Sequence, residues 1–207
     1  LLNPDEAIEK RERKIVSEIV KKGVTIVSGL ALGCDSIAHI EALNGGKTVA
    51  ILPSALNNIM PAKNRGLAFE IVEEGGLLIT EYFEEHKSSM ELSSRYKERD
   101  RLQALFCDVI ILAASYAQDT ANRWNLHGQK LDSGARLAME FAKEYEIPRA
   151  VMYDENTDLN NPMFDLNRQL INEKKNITIL TQKNLDILIS QTMKKIDNLY
   201  VQANLFD

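Results

Sequence analysis

VTIVSGLALGCDSIAHIEAL, residues 24–43, decides the fold. VTIVS at 24–28 is a short β-branched run bounded by Gly29, and a helical pattern runs from about Asp35 to Leu43 before Asn44, Gly45 and Gly46 stop it. The unit is therefore strand, glycine-rich turn, helix. Gly29 and Gly33 let the backbone turn tightly and approach a ligand, Asp35 or Ser36 caps the following helix, and the exposed N–H groups there favour an anion. The same spacing also suits a capped βα turn that holds nothing. His39 lies one turn into the helix beside Ile37, Ala38 and Ile40 and reads as a packed structural histidine.

The alternation continues on both sides. Upstream, Asn3 is a candidate cap with Pro4 at the first helical position, and Ala7, Ile8, Ile15, Val16, Ile19 and Val20 recur at helical spacing as far as Gly23. Downstream, strands are predicted at 48–53, 77–81, 109–114 and 149–153, with helices over 62–74, 94–106 and 133–145 between them. A helix, a strand and a helix over 163–173, 177–180 and 182–200 end the series. Short apolar strands alternating with helices predict an α/β fold with a doubly wound, mostly parallel sheet, forming one domain over 1–207. Ligands of such sheets bind beyond the carboxyl ends of the strands. A doubly wound sheet normally starts with a strand, so the first strand is expected upstream of Leu1.

Composition narrows the function classes. Of 207 residues, 44% are apolar, and 30 acidic side chains against 25 basic give a net charge of −5, which excludes a uniformly basic nucleic-acid coat and restricts any such contact to a local patch. Two distant cysteines, Cys34 and Cys107, support neither a disulfide framework nor a structural zinc and point to a reducing cytoplasm. No apolar run is long enough to cross a membrane. No metal or cofactor is expected. RYKERDR at 95–101 sets Arg95, Lys97, Arg99 and Arg101 against Glu98 and Asp100, a charged run that by itself reads as a solvated helix face. The polar stretch 114–130, with Tyr116, Arg123, Trp124 and His127, is long for a loop and is either a ligand-contacting lid or a packed surface excursion.

SGLALGCDSIAHIEAL, AILPSALNNIMPAKNRGLA, GGLLITEY, RDRLQALFCDVIILAAS and DSGARLAMEFA resemble, in order and spacing, the Rossmann-like core of the DNA-processing protein A family, DprA/Smf, from about 24 to 190. The family's turn motif matches Ser28, Gly29, Ala31, Gly33 and Asp35. Its Tyr-Pro-x-x-Asn segment matches Met60, Pro61 and Asn64, its Arg-Asn-Arg triplet falls on Arg99, Asp100 and Arg101, and its Ser-Gly turn falls on Ser133 and Gly134. Met60 and Asp100 depart from the family's Tyr and Asn, and no winged-helix tail is expected. The resemblance implies an extended Rossmann-like domain that binds single-stranded DNA, forms homodimers and helps load a RecA-type recombinase during natural transformation. It also turns Arg99 and Arg101 into candidates for gripping phosphate oxygens.

Catalysis has little support: the three histidines are scattered and there is no nucleophile elbow. Glu81, at the end of a predicted strand, reads as structural or pocket-lining. A related nucleotide-cleaving phosphoribohydrolase would need a glycine four residues before its glutamate, whereas DSGARLAME puts Gly134 six before Glu140. A sensor of small nucleotide derivatives is the other alternative, told apart by a closed pocket in place of an open channel. Finally, QANLFD at 202–207 resembles the Gln-x-x-Leu-Phe peptides that dock on bacterial sliding clamps, which would make Gln202, Leu205 and Phe206 partner-binding residues.

Overall fold

A computed structural model describes residues 1–126, 131, 134–173, 176–181 and 184–203, with side chains described as far as 194. Helix α1 (Glu6–Val20) leads into β1 (Ile26–Ser28), α2 (Cys34–Ala42), β2 (Thr48–Ile51), α3 (Arg65–Glu73), β3 (Leu77–Ile79) and α4 (Ser89–Leu105). Then follow β4 (Ile110–Leu112), α5 (Thr120–Arg123), α6 (Gly134–Glu144), β5 (Arg149–Met152), α7 (Glu155–Asp158), α8 (Asp165–Asn172), β6 (Ile177–Leu180) and α9 (Leu185–Ala203).

Local chemistry explains two boundaries that differ from expectation. Asp5, not Asn3, caps α1: its carboxylate accepts from the Ile8 N–H at 2.8 Å, and a full negative charge suits the positive end of the helix better than an amide does. Helix α4 starts five residues earlier than the apolar pattern suggests. Ser88 accepts from the Glu91 N–H at 3.1 Å and Glu91 reaches back to the Lys87 N–H at 2.8 Å, so capping rather than apolar period sets this start.

All strand pairings are parallel, which makes the fold α/β as expected, but the hydrogen-bonded ladder is divided into two sheets, β1-β2-β3 and β4-β5-β6. Leu30, Leu52, Ile59, Ala68 and Ile71 form the core of the first half, and Leu112, Met139, Val151, Leu166 and Leu170 that of the second. Helix α1 joins them. Its Ile8 packs with Cys34, Ala114, Met152 and Phe164, and its Ile19 packs with Ile26, Ile111, Ala150 and Leu180.

The described part of the polar 114–130 stretch is packed. Thr120 and Arg123 both donate to the buried Asp165 carboxylate, Leu166 N–H bonds Ser115 O at 3.0 Å, and the Arg168 guanidinium lies 5.3 Å from the Trp124 ring centre. His127 lies outside the described residues. His39 is fully buried, as its apolar neighbours imply. The Thr48 hydroxyl donates to Ile26 O at 3.0 Å, so His39 Nδ1–H donates to Thr48 Oγ1 at 2.7 Å, and burial pushes the imidazole down to about 4. The ring is a neutral strut between α2 and the sheet. Among the described residues, no helix is long and apolar enough to cross a membrane.

One buried group works against the fold. Glu12 on α1 is 6% exposed and has an unpartnered Oε2, and burial pushes its carboxyl up to about 7 despite a side-chain hydrogen bond with Cys34. Because the fold favours the protonated form, Glu12 costs stability as pH climbs above its unfolded value, with the full cost reached above about 7. Glu12→Gln is therefore expected to stabilise the chain at pH 8 by on the order of 2 kcal/mol and to change nothing at pH 4, read from urea unfolding at both pH values. Equal effects at both would contradict the assignment.

Candidate nucleic-acid interface

The carboxyl ends of β1, β2 and β3 carry three loops that the structure ties into one rim. Asn64, in the single turn of 3-10 helix that precedes α3, is buried and its Nδ2 donates to Leu30 O at 2.7 Å, Ala31 O at 3.2 Å and Ser36 Oγ at 2.8 Å, which fixes the second loop to the first. Asn58 Nδ2 reaches Glu85 Oε2 at 3.4 Å and links the second loop to the third. Leu30, fully buried at φ 59°, is held in a left-handed conformation that a leucine does not choose alone, so these bonds determine the turn.

Arg99 anchors the rim from inside. Its guanidinium, 4% exposed, donates through Nη1 to Gly29 O at 2.5 Å and Ile51 O at 3.0 Å, and its Nε lies 3.4 Å from Asp100 Oδ1. A Cβ at Gly29 would collide with Arg99 Nη1 and crowd the Asp35 carboxylate, so the glycine is required by the arginine beneath it.

Several expected roles change. Arg99 does not face solvent to grip a phosphate, because a guanidinium spent on two strand-end carbonyls has turned inward. Arg101 is half-exposed and paired with Glu81 at 2.5 Å, which also gives Glu81 its structural role. The Gly29–Gly33 turn is a poorer anion cradle than its sequence suggests. Asp35 already accepts the Ala31 N–H at 3.1 Å, Leu1 O accepts the Cys34 N–H at 3.0 Å, and Gly33 makes room for the Leu1 and Leu2 carbonyls rather than for a ligand. Ser28 ends β1 half-buried. Gly134 opens α6, while Ser133, Leu205 and Phe206 lie outside the described residues and Gln202 is described only as backbone within α9.

Three residues missed in the sequence stand on this rim. Lys63 and Arg65 flank the buried Asn64 and are exposed, although cations at a helix N-terminus oppose the macrodipole. Helix stability therefore does not account for them, and that misplacement was the available signal. Phe83, in the loop after β3, is 99% exposed. A cavity of about 830 Å³ lies elsewhere, between α1 and the ends of β5 and β6, and includes none of the ligand-binding candidates drawn from the sequence.

Removing the Arg99 side chain takes its donor from two carbonyls and its charge from beside Asp100, which keeps the Gln103 Nε2 bond at 2.9 Å. Arg99→Ala is expected to lose about 3–5 kcal/mol in urea unfolding, and Arg99→Lys to recover only part, because an ammonium lacks the planar fork. A loss below about 1 kcal/mol would contradict the anchoring role.

The family model for DNA recombination-mediator protein A matches residues 3–123. Protein Smf of Borreliella burgdorferi is 43% identical over 75 residues, 36% of this chain and 24% of that protein. DNA processing protein DprA of Streptococcus pneumoniae is 28% identical over 155 residues, 70% of this chain and 49% of that protein, so the chain spans less than half the length of these curated relatives. The structure of DNA processing protein A from Helicobacter pylori, solved for its single-stranded DNA binding mode, superposes with TM-score 0.70 and 26% identity over 94% of this chain and 78% of that one. The Streptococcus pneumoniae structure, at TM-score 0.71 and 23% identity, covers 91% of this chain and 58% of that one and supports the fold. With more than half its length matched by the family model and a rim built on the family's glycine turn, this chain belongs to the family of DNA recombination-mediator protein A, the DprA/Smf family.

Proposed function

We propose that this protein holds single-stranded DNA on the rim formed by the loops after β1, β2 and β3, without chemistry of its own, and that it acts as a homodimer presenting the strand to a RecA-type recombinase in the cytoplasm. The observation that carries this reading is the placement of Lys63 and Arg65, exposed on either side of the clamp residue Asn64 and at the start of α3. An exposed cation pair attracts phosphate through its charge. Family membership supplies the class of ligand: the Helicobacter pylori relative is described as binding single-stranded DNA.

The rim's polarity suits a strand. Phe83 offers a flat apolar face on which a base stacks, and Glu84 and Glu85 beside it turn phosphates away toward Lys63 and Arg65. Arg101 remains a secondary contact, because its exposed pair with Glu81 is weak enough for a phosphate to compete. Such contacts carry no base information, so binding is expected to tolerate any sequence.

Charge and stacking separate cleanly in experiment. Fluorescence anisotropy with oligo-dT across a salt series should show Lys63→Ala, Arg65→Ala binding about tenfold or more weaker, with the log–log salt slope reduced by about 1 to 1.5. Phe83→Ala should weaken binding by a similar factor while leaving the slope unchanged. A folded double variant with wild-type affinity and slope would overturn the assignment of the rim. Tighter binding of free nucleotides than of oligo-dT would favour a nucleotide sensor.

A further inference from the structure

Phe83 is 99% exposed in the loop between β3 and α4, where an unfastened chain would move freely. The loop is nevertheless fastened on both sides of it. The Tyr82 N–H donates to Thr80 Oγ1 at 3.0 Å, and the Tyr82 hydroxyl donates to Glu98 Oε2 at 2.8 Å. Glu85 Oε2 accepts from Asn58 at 3.4 Å, and the Lys87 N–H donates to Glu91 Oε2 at 2.8 Å. Each of these bonds holds a neighbour of Phe83, and none holds Phe83 itself.

One side chain reaches both immediate neighbours. The Arg95 guanidinium lies 4.3 Å from the Tyr82 ring centre, its Nη1 donates to Glu84 O at 2.8 Å, and its Nη2 donates to Glu91 Oε1 at 2.6 Å. Arg95 is only 8% exposed. Desolvating a guanidinium is costly, and an i,i+4 pair with Glu91 alone would not require it, whereas reaching the Tyr82 ring and the Glu84 carbonyl does. With Arg95 against the Tyr82 ring and Glu98 holding its hydroxyl, Phe83 is the one of these two adjacent rings that stands clear of the protein.

We propose that Arg95 is a positioning residue, which clamps the loop through Tyr82 and Glu84 so that Phe83 is held outward, before any strand arrives, as the single stacking platform for a base. This rests on the proposed stacking of a base on Phe83. Arg95 is not itself a phosphate contact, because both of its Nη groups are spent on Glu84 and Glu91. Its effect is to order the platform during folding rather than at the moment of binding.

The first measurement needs no DNA. Backbone amide order parameters at residues 82–84 should be about 0.85 in the unaltered chain and fall below about 0.6 in Arg95→Met, which keeps the stem and removes the donors. Arg95→Lys, which keeps a charge near the ring but lacks the planar fork, should fall between the two. Tyr82→Leu, which removes the ring and leaves Arg95 in place, should loosen the loop as well. Fluorescence anisotropy with oligo-dT should show Arg95→Met binding about five- to tenfold more weakly at an unchanged log–log salt slope, and less than about twofold more weakly in a Phe83→Ala background. Unchanged order parameters in Arg95→Met and Tyr82→Leu would overturn the clamp, and a loosened loop with full affinity would overturn the positioning role. So would a loss of affinity that persists without Phe83, or one that lowers the slope by about 0.7, since either would make Arg95 a direct contact. A Phe83→Ala protein that binds oligo-dT with full affinity would instead remove the stacking and the proposal with it, and the order parameters would still report the clamp separately.

Discussion

The Arg99 guanidinium is the constraint on which the rim of loops after β1, β2 and β3 depends. A cation this buried needs compensation, and here one nitrogen bonds the carbonyls that end β1 and β2 while Asp100, 3.4 Å from Nε, balances the charge. Helix α4 thereby fixes the exits of two strands that it follows by many residues. Everything on the rim inherits this geometry: Gly29 must lack a side chain, Leu30 is forced into an unfavourable conformation, and Asn64 then ties the next loop to both. Lys63 and Arg65 are held outward because the residue between them is held inward.

The second half of the chain repeats the device with different residues. Asn167 on α8 is fully buried and its Nδ2 donates to Ala113 O at 3.0 Å and Met152 O at 2.9 Å, clamping the exits of β4 and β5 as Asn64 clamps the turn after β1. In each half a buried amide satisfies carbonyls that would otherwise end a strand without partners. The difference lies in what surrounds the clamp. Asn64 has exposed cations beside it, whereas Asn167 lies beside a closed network of Asp165, Thr120, Arg123 and Arg168, whose charges are already paired. The first half is therefore the one with unpaired exposed cations beside its clamp, which is why the proposal places the anion there.

Much of the architecture was legible in the sequence because apolar runs and glycines report local structure directly. VTIVS, TVAIL and RAVMY contain the strands, and the glycine turn after the first is where the family resemblance is sharpest. What escaped was non-local. The start of α4 rests on a Ser88–Glu91 cap in a segment with scarcely any apolar period, and the division into β1-β2-β3 and β4-β5-β6 depends on which strands pair in space. At the site, a run of arginines and lysines looks solvated from sequence alone. Only the structure shows that Arg99 turns inward to the strand-end carbonyls, that Arg101 meets Glu81 while Lys97 stays exposed, and that Lys63 and Arg65 face outward beside Asn64.

The central claim is that the strand lies on the rim of the first half-sheet and nowhere else. Its most direct test is backbone amide chemical-shift mapping of isotope-labelled protein titrated with oligo-dT. The account predicts that the largest shifts fall on residues 62–66 and 82–84, with smaller ones in the 29–36 turn and none along 153–159 or 179–181. Shifts concentrated around Tyr153, Asn156 and Thr181, at the cavity beyond β5 and β6, would contradict it and move the binding site to the other half of the molecule.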